Sequence, residues 1–95
     1  MARVRVRYFG ALHEITGKRV EEITIDDSVS IKDLIERLAK IHGRKLAEYI
    51  FESDHKVKDG FAYAVNGDSL PENELSKVKC KDVTEFVILP PISGG

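Results

Sequence analysis

Val29-Ser30-Ile31-Lys32-Asp33-Leu34-Ile35-Glu36-Arg37-Leu38-Ala39-Lys40-Ile41-His42-Gly43 is the stretch on which the fold turns. Ser30 stands as an N-cap with Asp33 three residues on, the reciprocal pairing that closes the first turn of a helix. Val29 and Leu34 occupy the flanking hydrophobic-staple positions. Ile31, Leu34, Ile35, Leu38 and Ile41 recur at helical spacing, with Lys32, Glu36, Arg37 and Lys40 between them. That is one apolar stripe on an otherwise charged helix. Gly43 follows as the residue that ends it. A helix with a single apolar stripe needs a flat apolar surface to lie on, and the rest of the chain supplies strands.

Upstream, Arg3 to Phe9 alternates strictly, with Arg3, Arg5 and Arg7 on one face and Val4, Val6 and Tyr8 on the other. Period two with branched and aromatic residues predicts a half-buried strand. Gly10 to Lys18 reads as a loop, with Gly17 as its turn residue. Arg19 to Asp26 reads as a second strand. Val20 and Ile23 differ in parity there, which predicts a bulge near Glu21-Glu22. Downstream, Leu46, Tyr49 and Ile50 suggest one or two amphipathic turns, and Asp54 to Gly60 a polar loop. Phe61 to Val65 reads as a third strand closed by the turn pair Asn66-Gly67. Leu70, Leu75 and Val78 are apolar anchors along a connection, and Val83 to Leu89 is the last strand. Two strands, a helix and two further strands make an α+β domain, with one helix over one face of a mixed sheet.

Composition narrows the class. Ninety-five residues suffice for one core, and 42% hydrophobic residues exclude disorder by composition. Fifteen basic against sixteen acidic side chains leave a net charge of -1, so no overall field recruits nucleic acid or an anionic membrane. No apolar stretch approaches the ~20 residues that span a bilayer. Cys80 is the one cysteine, so no internal disulfide is possible. The charged N-terminus lacks the apolar region of a signal peptide. The chain is expected to be cytoplasmic, with no membrane or nucleic-acid partner.

The end of the sequence carries the chemistry: Leu89-Pro90-Pro91-Ile92-Ser93-Gly94-Gly95. Two prolines stop sheet pairing and stiffen the exit in an extended, polyproline-like form. At about 3.3 Å per residue, six residues project ~20 Å. Gly94 and Gly95 lack a Cβ, so a terminal carboxylate there threads a narrow channel. Such a tail suits a protein whose own carboxylate is the substrate of another enzyme. The expected division is a single domain over 1–89 and an extended, flexible tail over 90–95.

These residues resemble the small subunit of molybdopterin synthase (MoaD-type) and, more broadly, the ubiquitin-like sulfur carriers with a β-grasp fold. The resemblance rests on Val6 to Gly17, the helix opening at Ser30, Ala64-Val65-Asn66-Gly67 and Phe86 to Gly95. It covers essentially the whole chain, with the terminal Pro-Pro-x-x-Gly-Gly as its specific part. Leu89, where members often carry Phe, and His13, where Arg is common, depart from the pattern. The resemblance implies a mixed sheet of four to five strands covered on one face by one main helix. It implies that an E1-like activating enzyme, using ATP and Mg²⁺, adenylates Gly95, which becomes a thiocarboxylate. The sulfur would pass to a pterin precursor in the molybdopterin synthase large subunit. Gly95 is then the reacting residue and Gly94 its essential neighbour, while the chain itself binds no cofactor and no metal and is no stand-alone enzyme. In a β-grasp fold the first and last strands lie side by side. Phe9, Val87 and Leu89 would therefore form an exposed apolar patch at the base of the tail, with Pro90, Pro91 and Ile92 completing the partner surface. The alternatives are a ubiquitin-like modifier joined through Gly95 to lysines of target proteins, or a carrier for tRNA thiolation or thiazole synthesis.

Other candidates are weaker. Arg3, Arg5 and Arg7 form a basic row without the interleaved aromatics of single-strand binders, and an acidic neighbour such as Glu85 would neutralise it. His13, His42 and His55 lie far apart and read as surface or cap residues, with His42 suited to a helix C-terminus. Cys80, between Lys79 and Lys81, reads as a loop thiol without a base beside it. Glu21-Glu22 and Asp26-Asp27 read as solvated edge and turn charges.

Overall fold

The computed structural model describes residues 1–53 and 55–91. Strand β1 (Ala2–Tyr8) leads through a short helix α1 (Ala11–Thr16) into β2 (Val20–Ile25). The main helix α2 (Ile31–His42) is followed by α3 (Arg44–Ile50) and a small hairpin of β3 (Phe51–Ser53) and β4 (Lys56–Val57). Strands β5 (Ala62–Val65), β6 (Asp68–Leu70) and β7 (Glu85–Leu89) complete the order. The main sheet runs β2-β1-β7-β5-β6, with β1 and β7 parallel at its centre and the other pairs antiparallel. The α+β expectation holds with five strands. The covering helix is joined by the shorter α1 and α3, which carry buried Leu12, Leu46 and Ile50.

The capping prediction at Ser30 is met in full. Ser30 Oγ accepts from the Asp33 N–H at 3.1 Å, and the Ser30 N–H donates to Asp33 Oδ2 at 3.1 Å. Ile31, Leu34, Ile35, Leu38 and Ala39 are buried under the sheet, opposite Val4, Val6, Phe86 and Ile88. Ile41, expected in the stripe, is 49% exposed. At 100° per residue the buried arc is shifted toward Ala39, which lines the groove beside α3 with Ala47. The helix that packs against α2 moves the stripe to its own side.

Two connections depart from expectation, while the turn at Asn66-Gly67 forms as expected. Gly10 to Lys18 is not a loop throughout, since α1 forms where Leu12 is drawn fully into the core. Six residues are too few to show a helical period, so burial rather than propensity makes this helix. The segment over 54–60 is not wholly a polar loop: Val57 of β4 is buried opposite Phe51. Asn66 and Gly67 turn β5 back into β6, both at positive φ (50° and 88°) as the tight hairpin requires. Asn66 Oδ1 also accepts from the Thr84 and Glu85 N–H groups at 2.8 and 3.1 Å, tying that turn to the start of β7.

No bulge interrupts β2. Its register with β1 is continuous from Ala2↔Ile25 to Arg7↔Val20. The parity change is instead an inward-facing glutamate. Ile23 and Ile25 face the core, Glu21 shares their side at the rim, and Val20 faces out.

Candidate docking face and chain exit

Among the described residues no element covers the sheet face away from α2, and the register assembles its side chains in rows. Arg7 pairs with Val20 on one side and Val87 on the other, and Val87 pairs in turn with Ala64. One step further along, Leu89 pairs with Ala62, and the parallel β1–β7 register brings Phe9 beside Leu89. Phe9 is 46% exposed, Leu89 40% and Val20 40%, while Val87 is half-buried. Phe9, Val87 and Leu89 thus share one face as expected. Val20, Ala62 and Ala64 extend it, and sequence reasoning missed them. The odd parity of Val20 was the available signal. Exposed apolar patches are a common feature of interaction surfaces, which makes this face the candidate site.

The other half of the same face is charged. Arg7 Nε donates to Glu85 Oε2 at 2.6 Å, and Arg5 and Arg3 reach Glu22 at 3.4 and 3.7 Å. The arginine row is therefore neutralised by acidic neighbours on both adjoining strands. It offers no free basic strip for phosphates.

Beyond Leu89 the chain continues into Pro90, half-buried, and Pro91, exposed. A Cβ placed on Gly10 would lie 3.2 Å from Pro90 Cγ, and one on Gly60 would lie 3.0 Å from Pro91 Cβ. The two prolines are thus packed against two glycines. Ile92, Gly94 and Gly95, named above from the sequence, lie outside the described residues, as does the expected flexibility of the tail.

Two other sequence candidates change character. Glu21 is no solvated edge charge. Its Oε1 accepts from the Tyr8 hydroxyl at 2.7 Å and meets His42 Nε2 at 2.7 Å, with Lys18 at 3.5 Å from Oε2. Burial pushes its carboxyl up, but the hydrogen bonds of His42 and Tyr8 and the nearby positive charges outweigh it, and the group sits below the usual carboxylate range. Burial and Glu21 together push the Tyr8 phenol upward. His42 does close the last turn of α2 as expected, but its side chain is only 10% exposed and stands edge-on to the Tyr8 ring at 5.8 Å, at the rim rather than on the surface. This is an architectural triad closing the gap between β2 and the end of α2.

Cys80 is no loop thiol either. It is fully buried, and desolvation, with a smaller push from the Asp33 charge, raises its thiol to about 11. Its neighbours Lys79 and Lys81 point outward at a turn where the Cys80 N–H donates to the Val29 carbonyl at 2.9 Å. Among the described residues no group of three or more His, Cys, Asp or Glu side chains could hold a metal ion. No described helix is long and apolar enough to cross a membrane.

A five-stranded mixed sheet grasping one long helix, with an apolar outer face running into the chain exit, defines a ubiquitin-like β-grasp protein. The chain belongs to the ThiS family, whose model matches residues 6–95. This bears out the resemblance to the ubiquitin-like sulfur carriers. No curated protein matches the chain by sequence. Among solved structures it is similar to small archaeal modifier protein 1 from Haloferax volcanii, at 23% identity and a TM-score of 0.80, over 98% of this chain and 99% of that one. The solution structure of small archaeal modifier protein 1 from Methanosarcina acetivorans is 26% identical with a TM-score of 0.79, over 100% and 98%. A putative molybdopterin converting factor, subunit 1, from Pyrococcus furiosus is 26% identical with a TM-score of 0.73, over 97% and 100%.

Proposed function

We propose that this chain is a sulfur carrier for molybdopterin synthesis, acting through a thiocarboxylate on Gly95. The observation that carries the reading is the continuity of the apolar face with the exit. Phe9, Val87 and Leu89 lie at the end of the parallel β1–β7 pair, from which Pro90 and Pro91 lead toward Gly94-Gly95. A partner seated on that face lies beside Pro90, where the chain leaves the sheet. Similarity to the molybdopterin converting factor subunit favours a pterin as the destination of the sulfur.

A carboxylate is a poor electrophile at neutral pH. In an E1-like partner using ATP and Mg²⁺, a Gly95 carboxylate oxygen attacks the α-phosphorus and pyrophosphate leaves. A sulfide equivalent then attacks the acyl carbon and AMP leaves, giving the thiocarboxylate. In the large subunit of the synthase the sulfur attacks the pterin precursor, and hydrolysis returns the carboxylate. The catalytic side chains belong to the partners. This chain supplies the docking face, the reach and the reacting carbon.

Similarity to the small archaeal modifier proteins supports a second reading, in which a target lysine amine displaces AMP and an amide forms. Both readings share the adenylate and diverge at its nucleophile. Intact-mass measurement of the chain from its native cell separates them: an oxygen-to-sulfur shift supports the carrier, and lysine-linked adducts support the modifier. Deleting Gly95, or adding one residue after it, should abolish ATP–pyrophosphate exchange by the activating enzyme. Gly94→Ala should impair it severely without affecting folding. Normal exchange by the Gly95 deletion would overturn both readings.

A further inference from the structure

Strand register places one glycine on each side of the two prolines that follow β7. In the parallel β1–β7 pair Tyr8 stands opposite Ile88, so two residues on Gly10 comes beside Pro90. In the antiparallel β5–β7 pair Ala62 stands opposite Leu89, so two residues back Gly60 comes beside Pro91. The contacts agree with that extrapolation. A Cβ on Gly10 would meet Pro90 Cγ at 3.2 Å, and a Cβ on Gly60 would meet Pro91 Cβ at 3.0 Å. Pro90 and Pro91 have no N–H with which to continue the ladder. They nevertheless stay in line with β7, because rings fill the space that side chains of the flanking strands would otherwise take.

We propose that Gly10 and Gly60 form a slot for Pro90 and Pro91 and are positioning residues for the chemistry at Gly95. The inference rests on the reading of Gly95 as the activated residue. The slot holds the exit along the strand axis, beside Phe9 and Leu89, so a partner docked on the apolar face meets a chain already aimed. A rigid ring cannot turn away from a new Cβ as a flexible side chain can, so a methyl at Gly60 displaces Pro91 itself. An aim held in advance reduces what binding must spend on ordering the exit. If the aimed population falls to about one tenth, apparent affinity falls about tenfold while the turnover of bound complex is kept.

The experiment is ATP–pyrophosphate exchange with the cognate activating enzyme, reading kcat and KM for the carrier. The variants are Gly60→Ala, Pro91→Gly, their double and Gly67→Ala, each checked for folding by circular dichroism. Gly67 is the matched control, with φ of +88° against +98° at Gly60 and nothing within 4 Å of an added Cβ. It imposes similar backbone strain without touching a proline. Gly60→Ala and Pro91→Gly should each raise KM about tenfold with kcat within about twofold, and Gly67→Ala should leave KM at the wild-type value. The double variant should resemble Pro91→Gly alone, since the atom that clashes is gone. Equal KM effects of Gly60→Ala and Gly67→Ala, multiplying effects in the double, or an unchanged KM for Pro91→Gly would overturn the slot. Should Gly60→Ala fail to fold, Pro91→Gly alone decides. A wild-type chain inert in the exchange assay would instead overturn the reading of Gly95. The slot is then judged by a nuclear Overhauser contact between Gly60 Hα and Pro91 Hβ in the free protein, whose absence would overturn it.

Discussion

Truncating Phe9 and Leu89 to Ala separates the docking face from the core by a margin that can be worked from the structure. A Phe side chain covers roughly 200 Å², and Phe9 is 46% exposed, which leaves about 90 Å² for a partner. At about 25 cal/mol/Å² that is ~2 kcal/mol. Leu89, 40% exposed, adds ~1 kcal/mol on the same scale. The double variant should therefore lose up to about 3 kcal/mol of partner binding, a ceiling of roughly 150-fold in Kd. On the same scale the covered remainder of Phe9 (100% less the exposed 46%) is worth at most ~2.7 kcal/mol of stability, an upper bound because the unfolded chain already buries part of that area. Each kcal/mol lost corresponds to a fall in Tm of roughly 4–8 °C for a chain of this size. Phe86, on the same sheet but facing inward and fully buried, sets the contrast. Phe86→Ala should cost about 3–5 kcal/mol and leave little folded protein at 37 °C. Calorimetric titration with the activating enzyme and thermal melts of all three variants make the comparison. If Phe9→Ala melts as early as Phe86→Ala, or if the double variant binds as tightly as the wild type, the open face is not the docking face.

Glu21 gives a pH test whose sign follows from its environment. Its folded carboxyl lies below the ordinary value of 4.5, so its stabilisation is present above that pH and is lost as pH falls through the folded value. Glu21→Gln should cost about 1–3 kcal/mol at pH 7 by denaturant melts. That gap should narrow steadily below about pH 4.5; a gap independent of pH would refute an ionised Glu21 held at the rim by its hydrogen-bond partners. Cys80, buried and with its thiol raised to about 11, should react with a disulfide reagent at pH 8 only on opening of the fold. Labelling of the native protein at the rate of a free thiol would contradict its placement.

What the sequence determined by itself is what neighbours along the chain decide. The helix at Ser30 was legible because its cap, its staple and its stripe are all set within thirteen residues. The strands at 3–9 and 83–89 were legible because alternation assigns faces without a partner, and the Phe9, Val87 and Leu89 face followed from parity and the family resemblance. Gly94 and Gly95 are read from the sequence alone. Tertiary structure decided the rest, because contacts across long separations set it. Leu12 makes a helix of 11–16 only because a core is there to receive it. Glu21 turns inward because the end of α2 brings His42 to 2.7 Å from it, a pairing that no local pattern encodes. Cys80 is buried because the turn carrying it pairs with residues fifty positions earlier, Val29 and Ser30. Gly10 and Gly60 looked like ordinary turn residues until two different strand registers set them on either side of Pro90 and Pro91. Strict alternation settles the faces of β1 and β7; which distant backbone lies against a face, and so the fate of Glu21 and Ile41, is settled only when the sheet closes on its helices.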